Sequence, residues 1–225
     1  MRRKGSLPLR EVALPKPTAG RATSVFAALA RRRTNRSVSD RNLSRQVLSN
    51  LLWSACGVNR KHGPFGVPGR TAASASNAQE IEVYVALREG AYHYEAVSHS
   101  LAPVVAEDLR EYAIGRGQGG AGASAPVRLP YVVDIDKFKT AGFQEPGLND
   151  AETQKSYYYT DTGLIAENVY LFAASQGLAT WFHNCDKARL SARLGLRPAQ
   201  RVLFGQTVGY PEKGEGHDGR PVDPR

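Results

Sequence analysis

The feature that most restricts the folds open to this chain is an apolar run closed by a glycine, Leu164 to Ala174 with Gly177 behind it. Leu164, Ile165, Ala166, Val169, Tyr170, Leu171, Phe172, Ala173 and Ala174 cover most of a helical wheel, interrupted only by Glu167 and Asn168, with Ser175 and Gln176 at the end. Such a helix has to be covered by other elements on nearly every side. Asp161 or Thr162 can cap a helix beginning near Gly163, and Gly177 supplies a left-handed stop, so the spacing predicts about four turns. Burial of Leu164, Ile165, Val169, Leu171 and Phe172, at roughly 1.5 to 3 kcal/mol each, makes this helix the expected centre of stability. Beyond Gly177 the chain reads as extended, and Trp181 to Asn184 is where a site is expected.

The elements that must cover this helix are visible on both sides of it. Ser24 can cap a short helix from Val25 to Ala30, and Val47, Leu48, Leu51, Leu52 and Ala55 share one helical face until Gly57. Ile81 to Leu87 alternates as a strand, Arg88 to Ala91 turns, and Tyr92 to Glu95 returns, which is the pattern of a hairpin. The apolar run Leu101 to Val105 is expected to lead into a helix through Tyr112 or Ile114. Pro126 to Asp134 reads as a strand, Lys187 to Leu194 as a short helix, and Arg201 to Val208 as a closing strand. Residues 137–156 lack a period and read as a loop or lid. This order predicts an α+β layered domain with an antiparallel or mixed sheet. It divides into an extended arm over residues 1–23 carrying Pro8, Pro15 and Pro17, one domain over 24–211, and a tail over 212–225.

Charge is concentrated at one end. Residues 1–45 hold ten Arg and two Lys against Glu11 and Asp40, and the rest of the 225-residue chain is nearly neutral. An arm of this kind can bind nucleic acid without any catalysis, but it lacks interleaved aromatics and any recognised nucleic-acid motif, so phosphate capture on a small molecule is at least as good a reading. No apolar run approaches the roughly 18 residues of a membrane span. Met-Arg-Arg-Lys is followed by no apolar stretch of a secretory signal, so the expectation is a cytoplasmic protein. Cys56 and Cys185 make neither a disulfide framework nor a metal-ligand spacing, and no metal site is expected. Gly115-Arg-Gly-Gln-Gly-Gly matches a dinucleotide fingerprint by letter only, since that motif needs a strand before it and a helix after it.

The densest chemistry is Arg32-Arg33-Thr34-Asn35-Arg36 at a predicted helix end. Three guanidiniums and two short hydrogen-bonding side chains within five residues can hold a phosphate bidentately and leave a cation for a second anionic group. In order along the chain stand this element, Leu51-Leu-Trp-Ser-Ala-Cys-Gly57, and Gly69-Arg-Thr-Ala-Ala-Ser-Ala-Ser-Asn77. Glu82-Val-Tyr-Val85 with Gly90-Ala-Tyr-His-Tyr-Glu95, Gly177-Leu-Ala-Thr-Trp-Phe182 and Val208-Gly-Tyr-Pro211 come after them. Together they resemble the nitroreductase superfamily of flavoproteins, most nearly its branch of SagB-type peptide dehydrogenases, to which Val12-Ala-Leu-Pro-Lys-Pro17 is also similar. The resemblance implies a mostly antiparallel central sheet between helices, and a homodimer holding FMN at its interface.

Carried over by residue, the resemblance implies that Arg32 and Thr34, with Arg33 beside them, hold the FMN phosphate, and that Arg36 faces the N1 and C2-oxygen edge of the ring. Ser74, Ala75, Ser76 and Asn77 would line the ring from the partner chain, and the backbone of Phe182, His183 and Asn184 would approach its N5 edge. Arg220 is the candidate second phosphate cation. His183 and Tyr157 are candidates for proton transfer, His183 being equally readable as a rim residue. Ala73 stands where the family often has proline and Asn77 where the SagB-type branch has a small residue. The adjacent Lys-Tyr pair of azoline-oxidising members is here spaced as Lys155, Ser156 and Tyr157. The expected activity is transfer of hydride from NAD(P)H through FMN to a quinone, a nitroaromatic or a similar electrophile. Oxidation of a heterocycle or peptide azoline is the alternative.

Overall fold

Seven strands form one antiparallel sheet in the computed structural model, which describes residues 8–18, 23–115 and 124–212. In chain order the elements are β1 (Val12–Ala13), α1 (Val25–Arg31), α2 (Arg45–Cys56), β2 (Val58–Arg60), β3 (Gly69–Arg70), β4 (Ile81–Ala86), β5 (Ala91–Glu95) and β6 (Ser100–Val105). They continue with β7 (Val127–Asp134), α3 (Ala151–Gln176), β8 (Ala179–His183), α4 (Lys187–Leu194) and β9 (Gln200–Gly209). The sheet order is β1-β6-β5-β4-β7-β9-β8, and β2 pairs with β3 in a separate ribbon. The hairpin read from residues 81–95 is present, with Tyr84 opposite His93 and Ala86 opposite Ala91. This is the α+β layered architecture expected from the element order.

Both faces of the sheet are covered, and the strands alternate between them. Ile81, Val83 and Val85 of β4 join Leu129, Tyr131 and Val133 of β7 in a core shared with Leu51, Leu52 and Ala55 of α2 and with Ile165, Val169 and Phe172 of α3. Tyr84 and Ala86 point the other way, to a second core with Val132, Val202, Leu109 and the α4 residues Leu190 and Leu194. β7, central in the sheet, is buried along its whole length. Ser24 caps α1 as expected, accepting from Ala27 N–H, and Ser44, which the sequence reading did not single out, caps α2 by accepting from Val47 N–H.

Four expectations need correction. The central helix starts at Ala151, twelve residues before Gly163, because Asp150 caps it: its Oδ2 accepts from Thr153 N–H at 2.7 Å. Gly163 has open space where a Cβ would project and does not interrupt the helix, while Gly177 ends it at φ 67° as expected. Leu164 is 43% exposed and Leu171 only half-buried, so the apolar wheel is covered on fewer sides than predicted. Leu101 to Val105 is strand β6, and the chain after it forms a turn rather than a helix, with Tyr112 and Ala113 N–H both returning to Leu109 O. Residues 137–156 are ordered as two 3₁₀ segments and the first turn and a half of α3. The described part of the N-terminal arm lies on its own chain: β1 pairs with β6, and Pro15 O accepts from Ser49 Oγ.

Candidate functional site

The segment after α1 is extended, so alternate residues face opposite ways, and this sorts the basic cluster. Arg32, Thr34 and Arg36 fall on one side. Arg32 lies over the Tyr170 ring with 5.1 Å to its centroid, Thr34 Oγ1 is 3.2 Å from the Tyr170 hydroxyl, and Arg36 lies over Trp181 at 5.5 Å. Arg31, Arg33 and Asn35 face a cleft bounded by α3, Gly177, Thr180 and Pro211. Tyr170 lines this cleft as well, so Arg33 faces the same tyrosine on which Arg32 and Thr34 rest.

β8 is an edge strand, and its outward backbone carries the second half of the site. Thr180 O accepts from Asn35 N–H at 2.9 Å, which fixes the basic segment to that edge. Phe182 N–H donates to the Tyr170 hydroxyl, also at 2.9 Å. Tyr170 thus joins the two clusters, touching Arg32 with its ring and both Thr34 and Phe182 with its oxygen. Sequence reasoning placed Tyr170 among the apolar residues of α3, and no local signal distinguishes it there; only its phenol, buried and needing a partner, hints at such a role.

His183 is not a surface acid. It is buried, its Nδ1–H donates to Asn184 O at 2.9 Å, and its Nε2 accepts from the Thr207 hydroxyl at 2.8 Å. Burial pushes its pKa down to about 4, so the ring is neutral at ordinary pH and both nitrogens are engaged. Neither the rim position nor the proton-transfer role expected of it survives. Beside it Trp181 is 3% exposed, and its Nε1–H meets no acceptor among the described residues. A buried indole N–H without a partner is costly.

Ser74 to Asn77 do not join this cluster within one chain. Ala75 N–H donates to Asp161 Oδ2 at 2.8 Å, and Ser76 Oγ donates to Glu145 at 3.1 Å. Asp161 and Tyr170 are nine residues apart on α3, about 13 Å along its axis. The loop is unusual in itself: Ser76, Asn77 and Gln79 have φ of 49°, 54° and 52°, the left-handed region that non-glycine residues seldom occupy. Such strain persists only where surrounding contacts over-determine it, and it concentrates at functional loops. Gln79 N–H donates to Ser74 Oγ, closing the loop on itself.

The remaining candidates lie elsewhere. Tyr157 is thirteen residues before Tyr170, about 20 Å away along α3, and a hydrogen bond with Glu145 raises its phenol above the ordinary value. Lys155 pairs with Glu152 at 3.6 Å on the exposed side of the helix. Arg220 lies outside the described residues. Burial pushes the Cys56 thiol up to about 11 and Cys185 to about 12, so neither is a thiolate nucleophile. Among the described residues no cluster of metal ligands occurs, and no helix is long and apolar enough to cross a membrane.

Comparison with known proteins supplies the context for this geometry. A family model described as the nitroreductase family matches residues 29–210. A Methanocaldococcus jannaschii protein assigned as a nitroreductase is 30% identical over 159 residues, spanning 68% of this chain and 74% of its own. The crystal structure of a protein of Ralstonia eutropha, also assigned as a nitroreductase, superposes with a TM-score of 0.79 at 30% identity, covering 93% of this chain and 96% of that one. The NADPH:FMN oxidoreductase of Vibrio harveyi, solved with NAD+, shares the fold at a TM-score of 0.58 and 18% identity, covering 88% and 74%.

Proposed function

The chain belongs to the nitroreductase family, an oxidoreductase class, and from that premise we propose that it is a cytoplasmic FMN-dependent oxidoreductase passing hydride from NAD(P)H to a quinone, a nitroaromatic or a similar electrophile. The observation that carries this reading is the Tyr170 joint, which gathers Arg32, the Thr34 hydroxyl and the Phe182 N–H of the edge strand, with Arg36 over Trp181 further along the same segment. That donor set suits a ligand with a phosphate at one end and a ring bearing acceptors at the other.

Arg32 and Thr34 are the phosphate holders in this reading, and Arg36 lies toward the ring. FMN, when bound, supplies the hydride acceptor and donor, so no residue need act as a covalent nucleophile. Arg36 contributes a fixed positive charge where reduction of the ring places negative charge, without reorganising during the reaction. The backbone of Phe182 on the outer edge of β8, and of Asn184 just beyond the strand, borders the reacting side in this reading. The loop 74–77, kept from this array by the length of α3, belongs to the array of a second copy, which makes the functional unit a homodimer. Support comes from the exposed apolar side chains of α1, with Phe26 85% and Val25 66% exposed, and from the exposed Leu164 on α3. NADPH and FMN in the name of the Vibrio harveyi neighbour point the same way.

The test begins with the absorption spectrum of the purified protein and titration with FMN, followed by turnover of NADH or NADPH with a quinone. A colourless protein that takes up no FMN would remove this reading and favour the basic arm as a nucleic-acid binder. Turnover of an azoline peptide, lost in Tyr157→Phe, would instead favour the dehydrogenase alternative.

A further inference from the structure

Beneath the strained loop lies a pair of buried carboxyls that the proposed hydride transfer does not use. Glu80, immediately before β4, is fully buried, and the group facing its carboxyl is that of Asp161 in the middle of α3. Neither Glu80 oxygen has a hydrogen-bond partner so long as both groups are counted as acceptors. Two ionised carboxylates in contact inside a protein repel strongly, and the usual resolution is one proton held between them. Asp161 is meanwhile committed through Oδ2 to the Ala75 N–H, the bond that ties the loop to α3.

We propose that Glu80 and Asp161 share a single proton and together position the loop 74–79, with Glu80 O–H donating to Asp161 and the Asp161 carboxylate accepting from Ala75 N–H. The proton leaves to water when the solution becomes alkaline, and the two anions then repel, drawing Asp161 off Ala75 and freeing the loop. A cavity of about 100 Å³ gives the pair its route to solvent: Asp161 and Ser74 border it, and it is wide enough for water. Burial, and then the Asp161 charge, push Glu80 up to about 8, and burial raises Asp161 as well. The other charged and titratable groups around the cavity nearly cancel. Lys137 pairs with Glu82 at 3.1 Å, His93 pairs with Glu95 at 2.8 Å, Arg70 donates to Gln79 Oε1 and Cys56 O, and Cys56 is a neutral thiol. None of them donates to Glu80, so the proton between the two carboxyls is the contact that changes.

The inference rests on the proposed function only in giving the loop a purpose, as the part that lines the ring of a second copy; the latch itself is tested without flavin. Amide exchange of the full-length, FMN-free protein, corrected for the intrinsic pH dependence, is followed at Ala75 to Gln79 on both sides of pH 8, together with the infrared carboxylic-acid C=O band. The expected result is that protection at Ala75 falls by about tenfold or more as the band disappears, the change that one pKa unit of coupling produces. In Glu80→Gln the amide donates to Asp161 at every pH, so protection stays flat and the band is absent. Asp161→Asn, which keeps an acceptor for Ala75 and a donor for Glu80, gives the same flat profile should Glu80→Gln fold poorly. Protection at Ala75 that ignores pH in the wild type, or an alkaline loss that persists in both variants, would overturn the proposal. If FMN fails to bind while Ala75 still follows the proton, the latch stands and the flavin reading falls.

Discussion

Arg32 and Arg36 lie on the same side of one extended segment but rest on different rings, and this separates what the loss of each should do. Arg32→Ala removes a charge-assisted contact worth about 1.5 to 3 kcal/mol, so FMN affinity is expected to fall by one to two orders of magnitude. Arg36→Ala is expected to cost less affinity for oxidised FMN and to lower the reduction potential of the bound flavin, because the charge of the reduced ring loses its counter-ion. Paired FMN and redox titrations distinguish the two outcomes. Tyr170→Phe keeps the ring beneath Arg32 but leaves Phe182 N–H and Thr34 without their common partner. Loss of about 1 to 3 kcal/mol in urea unfolding is expected, with weakened FMN binding.

The central helix shows at the scale of an element what sequence could and could not give. Its end was legible because Gly177 sits where only a left-handed residue closes the turn. Its start was not, because residues 151–160 carry no apolar period and the cap that begins them, Asp150, stands far from the hydrophobic run. Asp150→Ala is therefore expected to cost about 1 kcal/mol on urea unfolding, as removal of an N-cap does, whereas a cap at Asp161 would have made Asp150 neutral. The same mistake hid the role of Asp161, which sits inside the helix and bonds to Ala75 across 86 residues of sequence. Contacts of that span obey no local pattern. The alternation of β4, β5 and β9 and the basic run 31–36 were readable, since each is decided by neighbours along the chain. Tyr170 and the neutral state of His183 were not, since each is decided by what the fold packs against it.

Two buried groups give the whole molecule opposite responses to pH. His183 has its pKa lowered from 6.5 to about 4, so the unfolded chain binds a proton that the folded one refuses, and stability is lost as pH falls through that interval. Glu80 has its pKa raised from 4.5 to about 8, so the folded chain keeps a proton that the unfolded one releases, and stability is lost as pH rises from 4.5 towards 8. Urea midpoints measured across the range should accordingly fall less on the acid side in His183→Gln, relative to the neutral midpoint of that variant, and less on the alkaline side in Glu80→Gln. Association is the other property of the whole molecule. Phe26→Glu places a charge on the exposed apolar face of α1, and it is expected to shift light scattering from dimer to monomer and to lower FMN occupancy with it. α3 connects these scales, because Asp161 holds the loop and Tyr170 holds Arg32, Thr34 and Phe182 on one rigid rod. An inserted residue between them would swing Tyr170 about 100° around the axis, away from Thr34 and Phe182. This nine-residue spacing is therefore a gauge: its length is fixed by the contacts at its two ends, and an insertion library would find survivors in the hairpin turn at 87–90 long before it found one here.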